Sequence, residues 1–194
     1  MDCLMTHDLL SEELSRDQLI YACQQGDREA YRRLFETHKD RVYSIAFYYC
    51  GNEATAHDIA QQVFLKLLTS IRQFNFQSEF STWLYRMVAN TCIDEQRRWR
   101  KLIPFGEVSE VQYIPALENI EANYSRVEMS DAVRLAIHDL KPKLRMAILL
   151  KYIEGMSYEE IATVLGCSMG TVASRLNRGH KALASKLGHL RSAL

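Results

Sequence analysis

Apolar residues recur every three or four positions along most of this chain, which is the spacing of amphipathic helices rather than of strands. In the first half the pattern predicts four helices. The first is capped by Ser15 and ends near Gly26, and the second runs on to Gly51. The inward face predicted for the third helix comprises Ala56, Ile59, Ala60, Val63, Phe64, Leu67, Leu68 and Ile71. A loop at about 75–79 follows, and we expect Ser81 to cap the fourth helix.

The composition changes after this first helical unit, which we place at residues 15–101. Residues 102–128 carry Pro104, Gly106 and Pro115 and show only weak helical periodicity, which predicts an acidic, flexible linker. Residues 1–14 are predicted to be an acidic tail. The sequence therefore predicts an all-α protein of two small helical domains joined by a linker.

The second domain, predicted at 129–194, contains the most informative local pattern. After a helix that ends at Lys141-Pro142 and another that ends at Gly155, the segment SYEEIATVLGCSMGTVASRLNRGHK begins at Ser157. Ser157 and Glu160 have the spacing of a capping box, and Gly166 stands where a tight turn needs positive φ. Two helices around such a turn form a helix-turn-helix, whose second helix enters the major groove of DNA.

The second helix of this motif has a polar and basic face. Ser168 is its expected cap, and Val172 and Leu176 are expected to point inward. The side chains expected to contact DNA are Thr171, Ser174, Arg175, Asn177, Arg178 and Lys181. The segment 161–194 has five Lys or Arg and no Asp or Glu, although the whole chain has 24 of each sign. A helical hairpin with a solvated basic face is the other interpretation of this segment.

Aromatic and basic residues alternate at the start of the fourth predicted helix. Unstacked bases can stack on aromatic rings while arginine binds phosphate, so this pattern favours single-stranded DNA. The residues expected to contact it are Phe74, Asn75, Phe76, Ser78, Phe80, Trp83, Arg86, Asn90 and Arg97. The alternative is that several of these aromatics, Phe80 and Trp83 above all, belong to the core.

Composition narrows the structural and functional classes to which this chain can belong. There are only three prolines and eight glycines, and no apolar run approaches the length of a membrane span. The N-terminus is acidic, unlike a signal peptide, so we expect a cytoplasmic protein without membrane insertion. Five cysteines without a CxxC pair predict free thiols and no metal site. We expect no cofactor and no catalytic residues, since no phosphate loop, metal spacing or Ser-His-Asp arrangement is evident.

Three segments, HDIAQQVFLKL at 57–67, FSTWLYRMVANTCID at 80–94 and the helix-turn-helix block, together resemble the extracytoplasmic-function group of bacterial sigma factors. The resemblance covers about residues 16–190. It implies a promoter-specificity subunit that binds core RNA polymerase, recognises the −35 and −10 promoter elements and promotes DNA melting. The other possibility is a stand-alone helix-turn-helix regulator, which would not need the aromatic and basic stretch at 74–90.

The resemblance also implies where each partner binds. The segment 57–67 matches the region that docks on the β′ clamp helices of the polymerase, and the second domain matches the region that reads the −35 element and rests on the β flap. The residues implied in clamp contact are Asp58, Gln61, Gln62, Phe64 and Leu65. The segment 74–90 matches the region that melts the −10 element and captures a base. An anti-sigma factor is implied as a further partner.

The chain departs from the family pattern at two positions. Gln62 stands where the family usually has Glu, which removes a charge from the implied polymerase interface. Ala173 stands where the family usually has Lys or Arg, which removes a cation from the implied −35 surface. Both departures predict altered affinity rather than an altered fold.

Overall fold

The structure, a computed structural model, describes residues 15–102 and 132–188. All regular secondary structure within those two ranges is helical, which confirms the predicted all-α class. The tail predicted at 1–14 and nearly all of the linker predicted at 102–128 lie outside the described residues.

Four α-helices and one 3₁₀ turn make up the first described range. They are α1 (Arg16–Gln24), α2 (Arg28–Cys50), α3 (Glu53–Ser70), the 3₁₀ turn (Ile71–Gln73) and α4 (Phe80–Leu102). The helices pack pairwise, with α2 lying against α1, α3 and α4. None of the helices described in the two ranges is both long and apolar enough to cross a membrane.

The second described range holds four further helices. They are α5 (132–138), α6 (Pro142–Tyr152), α7 (Tyr158–Leu165) and α8 (Met169–Leu187). Pro142 is the first residue of α6, where its missing N–H is not needed. Helices α6, α7 and α8 contact one another and form the frame of the helix-turn-helix.

Local sequence signals explain most helix ends. Ser15 caps α1 and Ser157 caps α7, each in a reciprocal capping box with the residue three positions on. Gly51 ends α2 at a φ of 80°, a left-handed conformation that glycine adopts without steric cost.

The start of α4 differs from the prediction. The amide of Trp83 donates a 3.2 Å hydrogen bond to the carbonyl oxygen of Glu79, so the first helical turn is already closed from that residue. The helix begins at Phe80, and Ser81 lies inside its first turn rather than at its cap. Burial of Phe80, which is 2% exposed, fixes this earlier start and outweighs the local preference of serine for the cap position.

One connected hydrophobic core runs through both described ranges. In the first range, Leu34, Ile45, Ile59 and Leu84 are buried at its centre, and Ile59 is one of the residues predicted to face inward. Leu68 is the exception among the predicted inward residues of α3, because it is 54% exposed. The two ranges also pack on each other, α2 on α6 and α4 on α7.

Candidate nucleic-acid interface

The geometry of the helix-turn-helix is set by its turn and by one close helix crossing. Gly166 ends α7 at a φ of 58°, and the Ser168 side chain accepts a hydrogen bond from the amide of Thr171 to cap α8. Gly179 of α8 lies so close to α6 that a Cβ there would come within 2.9 Å of Ile148 Cγ1. Gly179 therefore fixes how closely α8 can approach the core, and no local sequence signal identifies it.

Helix α8 buries one face and exposes the other. Val172 and Leu176 are buried as predicted, at 0% and 1% exposure. The exposed face comprises Gly170, Ala173, Ser174, Asn177, Arg178 and Lys181. Thr171 and Arg175 are half-buried at its edge. All six predicted residues are therefore within one helix and four of them lie on one open face.

Two arginines of α8 are held by near neighbours. The Arg178 guanidinium donates to the carbonyl oxygen of Ser174 at 3.2 Å and to its hydroxyl at 3.3 Å. Arg175 donates to the Cys167 sulfur at 3.5 Å. These contacts order both side chains along the helix, and they are weak enough to be exchanged for a ligand oxygen.

The loop between the 3₁₀ turn and α4 is anchored at both ends. The side-chain amide of Gln24 donates to the carbonyl oxygens of Ile71 and Phe74, at 3.0 and 2.7 Å. At the other end, Arg16 forms a 3.2 Å ion pair with Glu79. Neither anchor was predicted, because α1 carries no sequence sign of its distant partner.

Phe76 stands out at the tip of this loop. Its φ of 60° is in the left-handed region, and Phe76 is the only residue other than glycine with positive φ in the described ranges. Its ring is 43% exposed and lies 5.0 Å from the ring of Phe74. A bulky residue in this conformation stores strain, and such strain persists where the surrounding structure imposes it, often at functional sites.

The aromatic residues of this region fall into two groups. Phe74 and Phe80 are buried, at 5% and 2% exposure, and Trp83 is half-buried with its ring 5.4 Å and 5.9 Å from theirs. The expectation that Phe74 and Phe80 contact DNA is therefore revised, because their rings are enclosed by the core. They form the support on which Phe76 and Trp83 rest.

The remaining predicted residues of this surface are exposed. Asn75 accepts a 3.3 Å hydrogen bond from the Gln77 amide, which shapes the loop, and Ser78 and Asn90 face solvent. Arg97 pairs with Asp94 at 3.5 Å. Arg86 donates a 2.6 Å hydrogen bond to the carbonyl oxygen of Thr163 in α7.

A groove of about 570 Å³ lies between α2 and α3, on a separate surface. Leu65 and Leu68, 57% and 54% exposed, form part of its apolar wall, whereas Phe64 is 7% exposed and forms its base. The groove is lined by Tyr31, Phe35, Lys39, Asp40, Tyr43, His57, Ala60, Gln61, Phe64, Leu65 and Leu68. Of the other predicted polymerase-contact residues, Asp58 is exposed and Gln62 is half-buried, and neither lines the groove.

The described cysteines are reduced and do not form a metal site. Cys23, Cys50, Cys92 and Cys167 are free, and burial raises the pKa of the Cys23 thiol to about 11, so that it stays protonated at neutral pH. Among residues 15–102 and 132–188, no three His, Cys, Asp or Glu side chains come together as metal ligands would.

Comparison with protein families matches both halves of the chain. Residues 34–101 match sigma-70 region 2, and residues 130–183 match sigma-70 region 4. The chain is 31% identical over 186 residues to the ECF RNA polymerase sigma factor SigW of Bacillus subtilis, covering 92% of this chain and 100% of that protein. It is 30% identical to the ECF RNA polymerase sigma-E factor of Escherichia coli, covering 92% and 97%.

Two solved structures share the fold. CnrH, solved in complex with the cytosolic domain of CnrY, matches with a TM-score of 0.67 and 23% identity over 88% of this chain and 96% of that one. The sigma factor RpoE of Bartonella quintana, solved in complex with the anti-sigma factor NepR, matches with a TM-score of 0.65 and 24% identity over 81% and 96%. With the two sigma-70 regions in order and relatives matched over nearly their whole length, the chain belongs to the extracytoplasmic-function group of the sigma-70 family of RNA polymerase sigma factors.

Proposed function

We propose that this sigma factor acts in transcription initiation by dividing promoter recognition between α8 and the loop that precedes α4. The observation that supports this best is the presence, on one chain, of an open basic helix face and an exposed aromatic ring on an anchored loop. The first suits duplex DNA and the second suits separated strands.

The −35 element is the proposed ligand of α8. The exposed side chains of Ser174, Asn177 and Arg178 offer hydroxyl, amide and guanidinium groups that can bind base edges in the major groove. Lys181, one turn farther along the same face, is placed to bind phosphate. Ala173 leaves a gap on this face where the family usually carries a cation.

The melted −10 element is the proposed ligand of the loop at 75–79. Phe76 and the half-buried Trp83 supply rings for stacking, with Phe74 and Phe80 as support behind them. Asn75, Ser78 and Asn90 supply hydrogen-bonding groups, and Arg86 and Arg97 supply positive charge. Their present partners are a backbone carbonyl and a surface carboxylate, which a DNA phosphate can replace.

The groove between α2 and α3 is the proposed docking site for the β′ clamp helices of core polymerase. Exposed leucines are uncommon as neighbouring pairs on a soluble protein, and Leu65 and Leu68 make the groove complementary to the apolar face of a helix. Gln61 lines the groove, and Asp58 and Gln62 are polar residues of the same helix that could meet the partner outside it. We further propose that the second half rests on the β flap and that an anti-sigma factor restrains the chain in the cytoplasm.

RNA synthesis in this proposal belongs to the polymerase, and the sigma factor supplies recognition. Sigma factors are DNA-binding initiation factors, and none of the proposed roles requires a catalytic side chain or a cofactor.

Co-elution with core polymerase tests the docking site. The double variant Leu65→Asp/Leu68→Asp places two charges in the groove and is expected to abolish co-elution. Tyr21→Asp is the control, because Tyr21 is 59% exposed on α1, in the first half of the chain, and does not line the groove. Equal binding by both variants and the wild type would remove the groove from the polymerase interface.

A further inference from the structure

The segment that leads into α8 carries no charge. Residues 166–174, from the turn of the helix-turn-helix to the second turn of α8, include no Asp, Glu, Lys, Arg or His. Arg175, the next residue, is half-buried and donates to the Cys167 sulfur at 3.5 Å. Arg178 is held against Ser174. The N-terminal part of a recognition helix contacts base edges, so in α8 this part must read bases without a charged side chain.

Met169 supplies the exposed side chain of the first turn of α8. It is the first residue of the helix and is 56% exposed. Of its two neighbours in that turn, Gly170 has no side chain, and the Thr171 hydroxyl group is engaged in a 3.0 Å hydrogen bond with the Ser168 hydroxyl group. A thioether side chain, which donates no hydrogen bond, therefore extends from the end of α8 that a recognition helix turns toward the bases.

Ala173 extends the apolar surface that Met169 begins. The two residues are four positions apart in α8, so they lie on the same side of the helix, and Ala173 is also exposed. The pair lies outside the core, which α8 meets through Val172 and Leu176. The single methyl group of Ala173 leaves Met169 with an open flank and no charge beside it. The N-terminal half of the exposed face of α8 is therefore partly apolar.

Thymine offers this apolar surface a matching partner in the major groove. Adenine, guanine and cytosine present hydrogen-bond donors and acceptors there, whereas thymine adds a C5-methyl group. We propose that Met169, flanked by Ala173, selects a thymine in the −35 element by packing its thioether side chain on that methyl group. The proposal rests on the function proposed above, and it adds a specificity determinant to Ser174, Asn177 and Arg178 on the same helix.

The DNA for the test is selected by the protein itself. The full chain in complex with core polymerase enriches duplexes from a random-sequence library, with core polymerase alone as the background. The enriched −35 segment is then synthesised with each thymine in turn replaced by deoxyuridine, which removes the C5-methyl group and keeps every hydrogen-bonding atom of the base. At one position we expect deoxyuridine to weaken binding of the complex by about 3- to 5-fold, the effect of losing one buried methyl group.

Substitution of Met169 should remove this sensitivity. We expect Met169→Ala to bind the thymine and deoxyuridine duplexes equally, because nothing then packs on the methyl group. Met169→Leu keeps an apolar side chain and should still prefer thymine. Leu135→Ala is the matched control, because Leu135 is an apolar residue of α5 that is 42% exposed and precedes the helix-turn-helix. It should respond to deoxyuridine like the wild type, and circular dichroism of each variant checks the fold.

Two results would overturn the proposal. If no thymine of the enriched −35 segment responds to deoxyuridine, or if that segment has no A·T pair, α8 does not read a methyl group. If Met169→Ala keeps the wild-type response, a different residue reads it. Either result leaves the sigma function intact, because the complex has still selected a specific duplex. Failure to enrich any duplex above core polymerase alone would instead refute the proposed function and this inference with it.

Discussion

A substitution at Phe76, the strained residue at the loop tip, can separate an effect on promoter opening from an effect on stability. Phe76→Gly removes the ring that we propose to stack on a melted base, and it places at φ 60° the one residue type that adopts this conformation freely. We expect promoter opening to fall sharply while the stability of the folded chain changes little. Most core substitutions would lower both together.

The expected change in stability is a small difference between opposing contributions. Relief of the left-handed strain returns about 1–2 kcal/mol. Loss of the 5.0 Å contact with the Phe74 ring costs about 0.5–1.5 kcal/mol, and the added freedom of glycine in the unfolded chain costs about 0.4–1 kcal/mol. The net change in unfolding free energy should therefore lie between a gain of about 1 kcal/mol and a loss of about 1.5 kcal/mol.

The expected loss of function is larger. Stacking of a base on an aromatic ring contributes about 1–3 kcal/mol, which corresponds to about a 5- to 150-fold loss in the population of open promoter. Opening can be followed by permanganate reactivity of unpaired thymines in the presence of core polymerase, and stability by urea unfolding of the free chain. Duplex binding through α8 should be unchanged.

Phe80→Ala provides the contrast, because the Phe80 ring is 2% exposed and its removal should cost about 3–5 kcal/mol of stability. Normal promoter opening by Phe76→Gly would refute the stacking role. A loss of more than about 2 kcal/mol in its unfolding free energy would assign Phe76 to the structure of the loop instead.

Other substitutions test the remaining surfaces. Arg178→Ala should weaken −35 duplex binding by about 1–3 kcal/mol in a titration. Unchanged affinity would show that Arg178 does not contact the −35 duplex. Trp83→Ala should impair opening more than duplex binding; normal opening by a stable variant would exclude the role. Gln62→Glu should tighten core polymerase binding by up to about 1 kcal/mol, measured by titration of labelled chain, with the fold intact. Gly179→Ala should lower the unfolding free energy by about 1–3 kcal/mol, because its Cβ would clash with Ile148, and an unchanged thermal midpoint would contradict this.

The helices were predictable because their signals are local. Apolar spacing identified each helix in the two described ranges, and the signals at Ser15, Gly51, Ser157 and Gly166 set ends that the structure confirms. The two failures, at Ser81 and Leu68, have one cause: each depends on what the helix packs against. Leu68 continues the apolar stripe of α3 but lies beyond the neighbouring helices, where the groove opens.

The positions of the candidate sites in the sequence were easier to predict than which of their side chains are exposed to a ligand. Sequence placed aromatic residues near the proposed −10 surface but could not tell Phe74, enclosed by the core, from Phe76, which is exposed on a left-handed backbone. Nor could it identify Arg145, which stands in the apolar run of α6 and donates to the carbonyl oxygen of Tyr49, 96 positions away, as well as to two nearby in sequence at 138 and 140. Long-range hydrogen bonds of this kind have no periodic signature.

The most direct test of the sigma assignment is run-off transcription by purified core polymerase on promoter DNA carrying matched −35 and −10 elements. We expect core polymerase alone to start little RNA at the promoter and the added full chain to produce a transcript of defined length. Changing either element alone should lower the yield. Specific duplex binding by a chain that has no bound inhibitor and leaves core polymerase inactive would refute the sigma function and favour a stand-alone regulator.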